Sequence, residues 1–200
     1  MKKILCFGDS NTYGYNPHNG QRLQKRWPNI LKTIVENYEI TEAGGNNRTA
    51  FCKDINGIAG INILQKYLIE QYNIIILAIG INDLQFQYNC DLNTFENGIT
   101  KLVNNTKSLC PNAKIILISP SVLNENILTS HFNLLFDRTS IEKSYKIAPI
   151  YKRIAEENNC FYLNLNDIAE ASQIDGLHYE QYEHEKIAYA LSKLINNISI

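Results

Sequence analysis

Ile4-Leu5-Cys6-Phe7-Gly8-Asp9-Ser10-Asn11-Thr12 sets four apolar residues against an abruptly polar turn. A compact apolar run with no polar position in it suits a strand buried on both faces. Glycine directly after the run permits a tight turn. The stretch therefore predicts a strand whose carboxyl end presents the Ser10 hydroxyl. Residues 74–79 (IIILAI) and 115–118 (IILI) repeat the pattern. Residues 38–41 and 161–165 give weaker versions of it. Helical periods fill the gaps. Leu92, Phe95, Ile99, Leu102, Val103 and Leu109 recur mostly three or four apart, as do Ile187, Ala188, Leu191, Leu194 and Ile195. Residues 28–37, 58–70 and 141–157 also suit helices, with Pro149 expected to kink or split the last.

Alternation of strand and helix along one chain implies a mostly parallel sheet with helices on both faces. The expected fold is α/β: a three-layer α/β/α sandwich with about five parallel strands, formed by residues 1–200 as a single domain. Such sheets do their chemistry in the crevice at the carboxyl ends of the strands. Functional residues should therefore stand where an apolar run ends. Residues 119–139 carry many apolar side chains without a clean period. They read as a packed excursion, with a substrate lid as the alternative.

Two hundred residues can bury a substantial core without disulfides. The formal net charge is −1, with no basic stripe, which argues against a nucleic-acid partner. No stretch approaches the roughly 20 apolar residues of a membrane span, and the opening is too short for a secretory leader, so a cytoplasmic protein is expected. Five cysteines, odd in number and never spaced C-x-x-C, argue against a disulfide framework or structural zinc. Cys6 and Cys160 read as small buried side chains.

Four clusters meet the strand-end criterion: Gly8-Asp9-Ser10-Asn11-Thr12, Glu42-Ala43-Gly44-Gly45-Asn46-Asn47-Arg48-Thr49, Gly80-Ile81-Asn82-Asp83 and Asp175-Gly176-Leu177-His178. Acyl transfer needs a nucleophile, a base, a group that fixes the base's tautomer, and donors for the developing oxyanion. Ser10 supplies the hydroxyl. His178 titrates near neutrality and serves as the base. Asp175, three residues earlier across a glycine, reaches Nδ1 of that histidine. The Asn82 side chain and the amides of Ser10 and Gly44 supply the oxyanion donors, with Gly45 as the alternative to Gly44. Asp9 and Asp83 read as structural partners. His184 reads as a solvent-facing residue of the last helix, and His18 and His131 as standing apart. Trp27 suits packing or the pocket border equally.

These four blocks, in this order from Phe7 to His178, resemble the SGNH (GDSL-type) hydrolase superfamily. Ile4 through Ser10, Arg26-Trp27, Glu42 through Thr49 and Asp54 through Gly57 are similar to its bacterial arylesterase and acyltransferase branch. The resemblance implies the flavodoxin-like form of the sandwich and the same roles for Ser10, Gly44, Asn82, Asp175 and His178. It implies a serine esterase acting on short acyl groups, without cofactor or metal. Transfer to alcohols, oligomeric assembly, and action on acetylated carbohydrates, thioesters or lysophospholipids are further implications. The sequence departs from that branch at Asn47, where glycine is usual, and at Ala43, where an acidic residue is usual. It also departs at Tyr182-Glu183-His184, where Glu-Gly-His is usual, and near Asn164, where a strand-end aspartate is usual.

Two rivals compete. A metal-dependent phosphoesterase would need clustered His and Asp, but no D-x-H occurs and there are four histidines in all. A degenerate binding or scaffolding module would keep the fold and lose the reactive serine. P-loop, G-x-G-x-x-G and G-x-S-x-G signatures are absent.

Overall fold

The computed structural model describes residues 1–198. Strands β1 (Lys2–Gly8), β2 (Tyr38–Gly44), β3 (Ile74–Ala78), β4 (Lys114–Ser119) and β5 (Phe161–Asn164) form one sheet. Its order is β2-β1-β3-β4-β5, and every pairing is parallel. The helices are α1 (Ser10–Tyr13), α2 (Trp27–Ile34), α3 (Gly60–Tyr67), α4 (Leu92–Leu109), α5 (Arg138–Glu157) and α6 (Gln181–Asn196).

The central strands β1, β3 and β4 are apolar through their middles because both faces are covered, and side-chain alternation sorts them into two cores. Leu5, Phe7, Ile75, Leu77, Ile115 and Leu117 pack with Leu64 of α3, Phe95 and Leu102 of α4, and Ile154 of α5. The intervening Ile4, Cys6, Ile74, Ile76, Ile116 and Ile118 pack with Leu31 of α2 and Leu191 and Ile195 of α6. This is the three-layer sandwich expected. Each fully buried Leu or Ile contributes roughly 1.5–3 kcal/mol, so the central strands are the most strongly anchored backbone in the molecule.

Some boundaries differ from expectation. The helix expected over residues 58–70 is confined to Gly60–Tyr67. Helix α5 runs unbroken past Pro149. The lost backbone hydrogen bond is tolerated because Ile147, Ile150, Tyr151 and Ile154 around it are buried. The five cysteines are free; Cys6 is buried and Cys160 half-buried. Among the described residues no helix is long and apolar enough to cross a membrane.

Strand order reverses at β1, whose neighbours β2 and β3 lead away in opposite directions. The crevice at such a switch point is the preferred ligand site of open parallel sheets. Ser10 follows β1 and Asn82 follows β3, so both stand at that rim.

Candidate active site

The turn after β1 is built for close approach. A Cβ on Gly8 would lie 2.0 Å from Thr12 Oγ1 and 2.4 Å from the Ala78 carbonyl oxygen, so only glycine fits. Asp9 caps α1, its carboxylate accepting the Asn11 N–H at 2.9 Å. Burial pushes its pKa up to about 7. Ser10 is thereby held at the first position of α1, and no hydrogen bond engages its own N–H among the described residues.

His178 arrives from the connection between β5 and α6. Its Nε2 stands 2.9 Å from Ser10 Oγ, and its Nδ1 stands 2.7 Å from Asp175 Oδ2. Asp175 Oδ1 also accepts the N–H groups of Leu177 and His178, both at 2.9 Å. Three residues 168 positions apart in sequence at the extremes thus form one continuous hydrogen-bonded chain, buried in all three members. Burial pushes the Asp175 carboxyl up, but the imidazole and the two amides outweigh it and hold the pKa below the ordinary value. Burial lowers the His178 pKa; Asp175 pulls the other way without fully restoring it.

A cavity of about 100 Å³ opens beside this chain, lined by Ser10, Tyr15, Asn47, Asn82, Phe132 and His178, with Asn46, Leu135, Phe136 and Leu177 completing it. Asn82 gives one side-chain N–H to the Arg48 carbonyl at 3.1 Å, which leaves its second N–H uncommitted. Gln85, itself buried, donates to Asn82 Oδ1 at 3.1 Å and Asn47 Oδ1 at 2.7 Å, tying the two side chains together. Asp83 accepts the N–H groups of Ala50, Phe51 and Cys52 at 2.6, 3.0 and 2.8 Å and so clamps the loop that carries Asn47 and Arg48. Arg48 in turn donates to the Gly8 and Ala43 carbonyls.

Gly44 is not at this cavity. It ends β2 in register with Gly8, and a Cβ there would lie 2.2 Å from the Tyr13 nitrogen. Its glycine identity serves packing of β2 against α1. The Gly45 N–H is engaged by the Gly8 carbonyl at 3.2 Å. Asn46 and Asn47 both line the cavity with N–H groups that no hydrogen bond engages among the described residues, and the φ of 55° at Asn47 lies in the left-handed region that glycine and asparagine tolerate.

His184 is a second correction. It is fully buried, not solvent-facing, because it lies on the stripe of α6 that continues through Ile187, Ala188 and Leu191. Its Nδ1 accepts the Trp27 N–H at 3.4 Å, and burial pushes its pKa down to about 3. Trp27 is a core residue at the start of α2. His131 does not stand apart: it packs on Phe132, ring centroids 4.0 Å apart, and Phe132 packs on His178. The 119–139 segment is a packed excursion whose middle lines the cavity. Leu123, Ile127 and Phe136 are in the core, while Phe132 and Leu135 reach the cavity. Among the described residues no three His, Cys, Asp or Glu side chains converge to hold a metal ion.

The sequence profile of the GDSL-like lipase/acylhydrolase family matches residues 6–184. The chain belongs to that family. Its fold is similar to a carbohydrate acetylesterase family member from Sinorhizobium meliloti, with 26% identity, 98% of each chain covered and a TM-score of 0.85. It is also similar to the native aryl esterase of M. smegmatis, with 22% identity, 100% of each chain covered and a TM-score of 0.89. Comparison with curated proteins gave no match. Membership of the family makes this chain a GDSL-like lipase/acylhydrolase, and the two neighbours share its fold.

Proposed function

We propose that the chain hydrolyses esters of short acyl groups through an acyl-Ser10 intermediate. The observation that carries this reading is the buried Ser10–His178–Asp175 chain at 2.9 and 2.7 Å. Ser10 Oγ attacks the ester carbonyl as its proton passes to His178 Nε2. The Nδ1–H stays on the imidazole, hydrogen-bonded to Asp175, which stabilises the imidazolium. The carbonyl oxygen becomes an oxyanion that accepts from the N–H groups of Ser10 and Asn47 and from the free Asn82 side-chain N–H. Asn47 takes the place expected of Gly44. When the tetrahedral species collapses, the alcohol leaves with the proton from His178. Water, deprotonated by the same imidazole, then releases the acid and restores Ser10.

The size of the cavity supports a short acyl group. An apolar cavity of roughly 150 Å³ holds a benzene ring, so about 100 Å³ suits an acetyl or propionyl group and excludes a long chain. A second groove, of about 780 Å³, shares Asn46, Asn47 and Leu135 with this cavity. Lys53, Asp54, Asn56 and Gln87 line it beside Ile55, Ile58 and Ile63, and these polar groups can hydrogen-bond a hydroxylated alcohol, which supports an acetylated carbohydrate as the substrate. An alcohol bound there could also take the acyl group in place of water.

The test is a p-nitrophenyl ester series from acetate to octanoate, with acetylated monosaccharides beside it, on wild type and Ser10→Ala. The expected result is a steep fall beyond the shortest chains and loss of all turnover in the variant. Preference for octanoate overturns the acyl assignment, and an active Ser10→Ala overturns the mechanism.

A further inference from the structure

The imidazole of His178 is flanked by two aromatic rings that come from distant parts of the chain, one over its face and one at its side. The Tyr15 ring is stacked on it, with centroids 4.2 Å apart and planes 30° apart. The Phe132 ring meets it at 5.0 Å and 57°. Tyr15 and Phe132 also touch each other edge-on at 6.0 Å. Both rings are half-buried while His178 is 2% exposed, so they are what stands between the base and solvent.

Neither ring is free to drift. Tyr15 donates its N–H to the Ser10 carbonyl at 3.0 Å, so the residue covering the base is tied to the nucleophile. It pairs with Arg22 across the short hairpin after α1, and Gly20 of that hairpin lies against its phenol. Phe132 sits in a 3₁₀ turn (His131–Leu134) capped by Ser130, with the tilted ring of His131 packed against it.

Resting on the esterase reading above, we infer that Tyr15 and Phe132 are positioning residues that clamp His178 and stabilise its protonated form. A cation within about 6 Å of a ring centroid is attracted to the aromatic face. The imidazole is neutral before attack and charged while the tetrahedral species exists. The attraction is therefore stronger in the transition state than in the ground state and lowers the barrier. Tyr15 covers one face of the imidazole and Phe132 flanks it at the side, so the pair also shields the Ser10–His178 hydrogen bond from water.

The titratable groups facing His178 are Asp175 from its own turn, Tyr15 from the hairpin after α1, His131 from the 119–139 segment and His184 from α6. Of these, the variants below alter only the phenol. The experiment is an NMR titration of the His178 ring in wild type, Tyr15→Phe, Tyr15→Leu and Phe132→Leu, with pH profiles of kcat/KM for a p-nitrophenyl acetate substrate. Each Leu variant should lower the His178 pKa by roughly half to one unit and the kcat/KM plateau by about tenfold, as loss of one cation–π face implies. Tyr15→Phe, which keeps the ring, should match wild type in both. Phe132→Leu lies in a separate segment and carries the test if Tyr15→Leu does not fold. A His178 pKa unmoved or raised in folded Leu variants overturns the clamp, as does a Tyr15→Phe variant as impaired as Tyr15→Leu. The titration needs no turnover, so an inactive wild type whose His178 pKa still responds would count against the esterase reading and leave the clamp standing.

Discussion

Two buried carboxylates serve this site in different ways. Asp175, in the connection before α6, accepts two backbone N–H groups and the imidazole of His178. Asp83, in the turn after β3, accepts three backbone N–H groups and no side-chain cation. Burial alone raises a carboxyl pKa. Asp83 follows that rule and is pushed up to about 6, whereas the imidazole and amides hold Asp175 below its ordinary value. The same side chain thus holds an imidazole in one region and pins a loop in the other. The partner decides the role, not the burial.

Substitutions that convert one carboxylate's role while sparing the other's should separate them. Asp175→Asn should lower kcat by on the order of 10³ to 10⁴-fold with little loss of folding, because the amide favours the wrong imidazole tautomer. A variant within tenfold of wild type would remove Asp175 from the mechanism. On the Asp83 side the chemistry comes from its neighbour. Asn82→Ala should lower kcat by about 10² to 10³-fold and leave KM for small esters nearly unchanged, as loss of one oxyanion donor does. A change in KM alone would make Asn82 a binding group. Asp83→Asn itself should lower kcat only about tenfold, through a slackened 45–52 loop, but should reduce stability by roughly 1–3 kcal/mol in urea at pH 7.5 because an NH₂ now faces an amide donor.

Titration gives a finer contrast. A carboxyl whose folded pKa is raised, as for Asp83, contributes stability that is full below its unfolded value and is lost as pH rises through about 6. Asp175, with its pKa lowered, contributes stability above its unfolded value that is lost on acidification. The stability gap between wild type and Asp83→Asn should therefore narrow from pH 4 to pH 7.5, and the corresponding gap for Asp175→Asn should not. Urea midpoints at the two pH values measure both. The smallest effect is on rate: because the His178 pKa lies below the ordinary imidazole value, the acid limb of kcat/KM should fall at a pH below about 6.5. A limb above pH 7 would mean that the Asp175 pairing outweighs burial.

What the sequence revealed followed from how each feature is encoded. Central strands announce themselves because burial on both faces leaves no polar position. The outer strands β2 and β5 are partly exposed and therefore read more faintly. Helix α1 is four residues long, too short for a period to show. Ser10, Asp175, His178 and Asn82 are side-chain groups in short motifs, so their convergence was foreseeable. The donor proposed at Asn47 is a backbone amide and has no side-chain signature. The available signal was the asparagine itself, which like glycine tolerates the left-handed region. Tyr15 and Phe132 meet His178 only through the fold, which no local pattern records. His184 could have been placed correctly by extending the Ile187, Ala188, Leu191 stripe back one turn.

Mass spectrometry after treatment with a fluorophosphonate tests the central claim most directly. One adduct per chain, mapped to the peptide bearing Ser10, absent from Ser10→Ala and slowed at least a hundredfold in His178→Ala, is the predicted result. Unmodified protein that still cleaves acetyl esters, or an adduct on another residue accompanied by loss of activity, would contradict it.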